Sequence, residues 1–305
     1  METLSGAYRE LIKKVLSASK LARVVTEHNV YQEGDKDVLP LVDTLVADLI
    51  LPGSGISGMD NLNDLFRRAR EGKSCLLLLE HYSNMDLPNF SYLLRQEPDH
   101  GKEIAEALVA IAGMKLNEEN PAVAGFTGAY TRLVIYPSRS LLGLDAEKNK
   151  EEIVRSNGIN RAAMKTLLKI KVEGKLILVF PSGTRYRPWD PSTKKGVREI
   201  DSYIKAFDYM CMVAINGSLL HTRQGNMMDD YVSREVVRYT AGKVVSCAEF
   251  RNRTRALAEA AGIEDKKQAV VDAIMENLEA MHLEAEKERE KLLARQGEPQ
   301  KNPET

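Results

Sequence analysis

The chain has no long apolar run, few cysteines and no surplus of either charge, and each shortage narrows what it can be. No apolar stretch approaches the ~18–20 residues that cross a bilayer, so no membrane-spanning helix is expected. The first residues interleave apolar positions with Arg9, Lys13, Lys14, Lys20 and Arg23, which leaves no signal-peptide core. Cys75, Cys211 and Cys247 lie far apart, and read as buried thiols in a reducing compartment, not as a disulfide frame or a zinc site. Lys+Arg 43 against Asp+Glu 44 leaves a net charge of -1, so bulk charge does not favour nucleic acid and any anion needs a local cluster. No Walker phosphate loop, His-Glu-x-x-His or Cys-x-x-Cys occurs, and His28, His100, His221 and His282 lack metal-ligand spacing. A soluble cytoplasmic protein of 305 residues, able to touch a membrane surface and carrying no metal or resident cofactor, is the expectation.

The patterning that is present alternates helix and strand. Leu4, Tyr8, Leu11, Ile12, Val15 and Leu16 recur at helical steps, as do Leu41, Leu45, Val46 and Leu49, ahead of a Gly/Ser-rich stretch at 53–58. Residues 1–60 are therefore expected to form a small helical domain, 61–295 an α/β domain, and 296–305 a disordered tail. Strands are expected at Cys75–Leu79, Ala107–Ala112, Leu133–Tyr136, Leu176–Phe180, Met212–Ile215 and Lys243–Phe250. Helices are expected at 61–71, from Leu87, over 159–172 and over 265–295. Glu71-Gly72-Lys73 and Glu173-Gly174-Lys175 each close a helix and launch an apolar strand. Such alternation predicts a mixed, largely parallel sheet covered by helices, with both following loops on its carboxyl edge, where ligands bind.

Those two loops carry the chemistry. The first is His81-Tyr82-Ser83-Asn84-Met85-Asp86. An aspartate that folds back onto the histidine fixes its tautomer and stabilises the imidazolium formed when it accepts a proton. The bland alternative is a surface histidine beside an ordinary helix N-cap, with Asp86 capping the helix from Leu87. The second is Pro181-Ser182-Gly183-Thr184-Arg185-Tyr186-Arg187. Two guanidinium groups and the amides of a glycine turn are suited to a phosphate dianion, with Ser182 bonding inside the turn. Arg139, after the strand ending Tyr136-Pro137, is a further phosphate candidate; Arg132, Lys194, Lys195 and Arg198 are weaker ones. Gly53-Ser54-Gly55-Ile56-Ser57-Gly58 matches a dinucleotide fingerprint in form, which leaves an NAD-dependent oxidoreductase open as a remote alternative.

His81-x4-Asp86 followed by Phe180-Pro181-Ser182-Gly183-Thr184-Arg185 resembles the glycerolipid acyltransferases. Ser182 stands where the membrane-bound lysophosphatidate acyltransferases usually carry Glu. Pro-Ser-Gly-x-Arg-x-Arg-Pro is similar to the soluble, chloroplast-type glycerol-3-phosphate acyltransferases, which also have a helical N-terminal domain. The likeness runs from about Leu65 to Pro188, and departs at Arg139-Ser140, where that family has a consecutive basic pair. It implies acyl transfer from an acyl-carrier-protein or coenzyme A thioester to the sn-1 hydroxyl of glycerol 3-phosphate, without a metal. His81 is the implied base and Asp86 its orienter; Arg139, Arg185 and Arg187, with Ser182, Gly183 and Thr184, are the implied phosphate site. Lysophosphatidate as acceptor, and a non-catalytic relative that binds lipid or carrier protein, stay open.

Overall fold

The computed structural model describes residues 2–20, 24–114, 121–137, 149–225 and 227–297. The chain begins with α1 (Leu4–Ala7), α2 (Arg9–Ala18), β1 (Tyr31–Gln32), α3 (Leu39–Leu49), β2 (Gly55–Ser57) and α4 (Met59–Arg70). There follow β3 (Cys75–Leu79), α5 (Asp86–Leu94), α6 (Gly101–Ala107), β4 (Leu108–Gly113), α7 (Pro121–Thr127), β5 (Arg132–Ile135), α8 (Lys150–Ile170) and β6 (Leu176–Val179). The remainder comprises α9 (Ile200–Ala206), β7 (Tyr209–Asn216), β8 (Leu220–His221), β9 (Tyr231–Val232), β10 (Arg238–Ala241), β11 (Val245–Ser246), α10 (Cys247–Ala260) and α11 (Lys266–Gly297).

Nine strands make one mixed, largely parallel sheet in the order β1-β5-β4-β6-β3-β7-β10-β2, with β11 also paired to β7. The five central strands, β5 through β7, are mutually parallel. Every residue of β3 and β6 is buried, as expected of strands covered on both faces. Along β3, Cys75, Leu77 and Leu79 pack with Val42, Leu65 and Phe90 on one face. Leu76 and Leu78 pack with Leu167, Ile204 and Ile274 on the other. Each buried leucine contributes about 1.5–3 kcal/mol, so these runs drive the layering. The fold is α/β, with helices on both sides of the sheet.

Residues 1–60 supply α1–α3 and also β1 and β2, which pair with β5 and β10 in the same sheet. Leu4, Val15, Val42 and Leu45 share one buried cluster with Leu77 and Leu79.

One expectation fails locally. Only Val245–Ser246 of the stretch Lys243–Phe250 is a strand. The Ser246 hydroxyl accepts from the Glu249 amide at 3.3 Å and starts α10, a cap that overrides the apolar run. Gly53–Gly58 is not a phosphate turn behind a strand. It follows helix α3, and Gly55–Ser57 is itself strand β2 against β10. Gly58 has φ +80°, and a Cβ there would meet the Ala241 carbonyl oxygen at 2.2 Å, so sheet packing accounts for that glycine. The expected tail is described only to Gly297, where α11 ends; 298–305 lie outside the described residues.

Candidate active site

β3 and β6 are adjacent and parallel, so the loops that leave them emerge side by side at the carboxyl edge of the sheet. From the first, His81 Nδ1 lies 2.9 Å from Asp86 Oδ2. Asp86 does not cap the helix from Leu87. It is the first residue of α5, and its carboxylate turns back across the loop. Oδ2 also accepts from the Tyr82 amide at 2.6 Å and the Ser83 amide at 2.9 Å, and Oδ1 from the Ser83 hydroxyl at 3.0 Å. From β10, the Tyr239 hydroxyl donates to the Asp86 carbonyl at 2.7 Å. The carboxylate is thus an acceptor held from several sides, and the matching histidine form carries its proton on Nδ1. Nε2 is then the basic nitrogen. The Phe180 ring stacks on the imidazole at 3.9 Å and 16°, which fixes its plane.

The second loop locks onto the first: the Tyr186 amide donates to the His81 carbonyl at 2.8 Å. The Ser182 hydroxyl bonds inside its turn, to the Thr184 carbonyl at 2.7 Å. Gly183, at φ +59°, gives its amide to the Phe180 carbonyl at 2.8 Å, so that amide shapes the turn and is not offered to an oxyanion. Arg185 Nη1 is paired with Asp230 Oδ2 at 2.7 Å. Asp230 is fully buried, and its other oxygen accepts from the Arg223 amide at 2.9 Å. Burial pushes the Asp230 carboxyl above its ordinary range, against the pull of the Arg223 amide and the Arg185 charge. Arg187 is exposed; its amide donates to Thr193 Oγ1 at 2.9 Å. Its guanidinium has no ion-pair partner among the described residues. Arg139 lies outside the described residues. Arg198 pairs with Asp265 at 2.8 Å and Lys194 with Glu279, while Arg132 is buried in β5.

A cavity of about 760 Å³ opens beside His81, within the usual range for ligand pockets. Its walls include Leu87, Ala110, Ile135, Leu167 and Phe180, with Gly183 at the same end as His81. The His81–Asp86 pair, a loop whose Arg187 has no ion-pair partner among the described residues, and a largely apolar cavity therefore share one edge of the sheet.

Sequence reasoning missed several partners. Asp230 and Arg223 come from a stretch with no motif. Glu80, the residue before His81, accepts from the Ile215 amide at 2.7 Å and the Tyr82 hydroxyl at 2.9 Å. His282 of α11 adds a third contact at 3.1 Å. Burial lowers the pKa of His282, but the Glu80 hydrogen bond and charge outweigh it and raise the value overall. The one available sign was position: Glu80 directly follows a buried strand, where a carboxylate needs partners.

Among the described residues no group of three or more His, Cys, Asp and Glu side chains is arranged to hold a metal ion, and no helix is long and apolar enough to cross a membrane. No family model and no curated protein matches the chain.

Proposed function

We propose that the protein is an O-acyltransferase that moves a fatty acyl group from an acyl-carrier-protein or coenzyme A thioester to the sn-1 hydroxyl of glycerol 3-phosphate. The product is lysophosphatidate. The observation that carries this reading is the His81–Asp86 pair at 2.9 Å, with His81 lining a largely apolar cavity and tied to the arginine-bearing loop through Tyr186.

His81 Nε2 takes the proton of the acceptor hydroxyl as its oxygen attacks the thioester carbonyl. Asp86 holds the imidazole in place and stabilises the imidazolium. The tetrahedral intermediate collapses with loss of the thiolate, which recovers the proton from His81, so no net proton or electron remains on the enzyme. Arg187, with no ion-pair partner among the described residues, meets the phosphate; Arg185, pre-set by Asp230, offers its remaining N–H groups; Arg139 joins them as the resemblance implies. The acyl chain lies in the cavity. The site needs no metal for this chemistry, and the proposed place of work is the cytoplasm.

The reading is tested with purified protein, a labelled acyl thioester, and glycerol 3-phosphate or lysophosphatidate as acceptor. Transfer to glycerol 3-phosphate is expected. Transfer to lysophosphatidate alone overturns the acceptor, and transfer to neither overturns the enzyme.

A further inference from the structure

Arg132, the first residue of β5, is 2 % exposed. It stands between Gln32 of β1 and Ala110 of β4. Its Nε donates to Gln32 Oε1 at 2.9 Å, and its Nη1 donates to Thr127 Oγ1. Both acceptors are neutral, and no carboxylate among the described residues pairs with the guanidinium. Nη2 is buried with no hydrogen-bond partner among the described residues. A buried charge without a counter-charge is among the most unfavourable things a core can hold. Burial draws its pKa down to about 10, which still leaves it protonated at neutral pH. A fold that keeps such a group implies a counter-charge that arrives from outside.

The surroundings say from where. Arg132 lines the same cavity as His81. Tyr130 lines it too, and its hydroxyl is also buried without a partner among the described residues. The nearby carboxylate, Asp43, is already engaged by Arg95. Through the register of β5, β4, β6 and β3, Arg132 is level with Leu77, three strands away and four residues short of His81. At ~3.3 Å per residue and ~4.8 Å per strand, the two backbone positions are roughly 20 Å apart. The lining is largely apolar, with Ala110 and Phe126 in it, and also holds Ser83, Asn84 and Thr127. His81 and Arg132 thus both line one cavity.

We infer that Arg132 binds the carboxylate of an alkyl chain lying in this cavity. A planar guanidinium matches a carboxylate, and the apolar walls accept the chain. That carboxylate belongs either to a free fatty acid or to the far end of an acyl chain held at His81. The site stands on the cavity and the unpaired charge, and does not require acyl transfer.

The test is calorimetric binding, with no turnover involved. The probes are dodecanoate, dodecanol and the monomethyl ester of dodecanedioate, titrated into the wild type, Arg132→Met and Arg132→Gln. In the wild type at least one carboxylate probe is expected to bind about tenfold or more tighter than the alcohol. The tighter of the two carboxylates identifies the source. Both substitutions are expected to abolish the preference while leaving alcohol binding and the melting temperature unchanged or raised. Equal binding of acid and alcohol by the wild type overturns the inference, and that comparison needs no variant to fold. An acid preference that survives both substitutions, with a lowered melting temperature, overturns it as well and assigns Arg132 a purely structural role.

Discussion

Asp86→Asn tests how His81 is made a base. Asp86 Oδ2 carries three of the four side-chain contacts: His81 Nδ1, the Tyr82 amide and the Ser83 amide. Oδ1 receives only the Ser83 hydroxyl. The two backbone amides cannot be reversed, so the asparagine oxygen takes the place of Oδ2 and its NH₂ turns to the Ser83 hydroxyl, which can accept. His81 keeps its Nδ1 proton and its orientation; what is lost is the negative charge that faces the imidazolium. At about 4 Å between charge centres and an effective dielectric of about 20, that attraction is about 4 kcal/mol. At 1.36 kcal/mol per decade it corresponds to about a thousandfold in kcat. The assay is thiol release from an acyl thioester with saturating glycerol 3-phosphate. A fall in kcat of two to three decades is expected, roughly, with KM for glycerol 3-phosphate little changed. A kcat within about tenfold of the wild type, in a variant that melts cooperatively, refutes the role assigned to Asp86.

Three further expectations follow from the site and its borders. Arg187→Ala should raise KM for glycerol 3-phosphate by several-fold to about tenfold and leave kcat alone, since an exposed phosphate contact acts as uniform binding; an unchanged KM counts against it. His282 has a raised pKa, so its stabilising contact with Glu80 is fully present below about pH 6.5 and is lost as pH rises through the higher folded value. Melting temperature should thus fall more for the wild type than for His282→Gln above about pH 6.5, and parallel profiles contradict the contact's role. Ala163, buried in α8 on the cavity wall, becomes a plug when replaced by phenylalanine. Ala163→Phe should lose the longest acyl donors first, and a uniform loss across chain lengths argues against chain binding there.

The sheet was readable because its centre is buried on both faces. Such strands must be continuous apolar runs, and Cys75–Leu79 and Leu176–Val179 stand out as such. The two loops were readable for the same reason: each begins where an apolar run stops. The error at Lys243–Phe250 came from weighing the Val244-Val245 run above Ser246 and Glu249, whose spacing is a capping-box signature. The formal glycine fingerprint at 53–58, held only as a remote alternative, shows that glycines spaced for close backbone approach look alike, whether the neighbour is a phosphate or the Ala241 carbonyl.

What stayed hidden is what depends on distant pairing. Asp230 meets Arg185 across 45 residues, and His282 meets Glu80 across 202, and neither leaves a periodicity or spacing to find. In the sequence Arg132 is only one of several weaker phosphate candidates, since a lone arginine beside a strand is usually solvated. Its burial follows from β1 pairing at the sheet edge beyond it, through Gln32.

His81 as the base on a glycerol 3-phosphate hydroxyl is tested most directly by one comparison. Wild type and His81→Ala are given the same acyl thioester and glycerol 3-phosphate, and lysophosphatidate is quantified, with melting curves confirming the fold of both. The wild type is expected to form product, and His81→Ala to form none above the uncatalysed rate. Product formation by a folded His81→Ala at a rate near that of the wild type contradicts the mechanism.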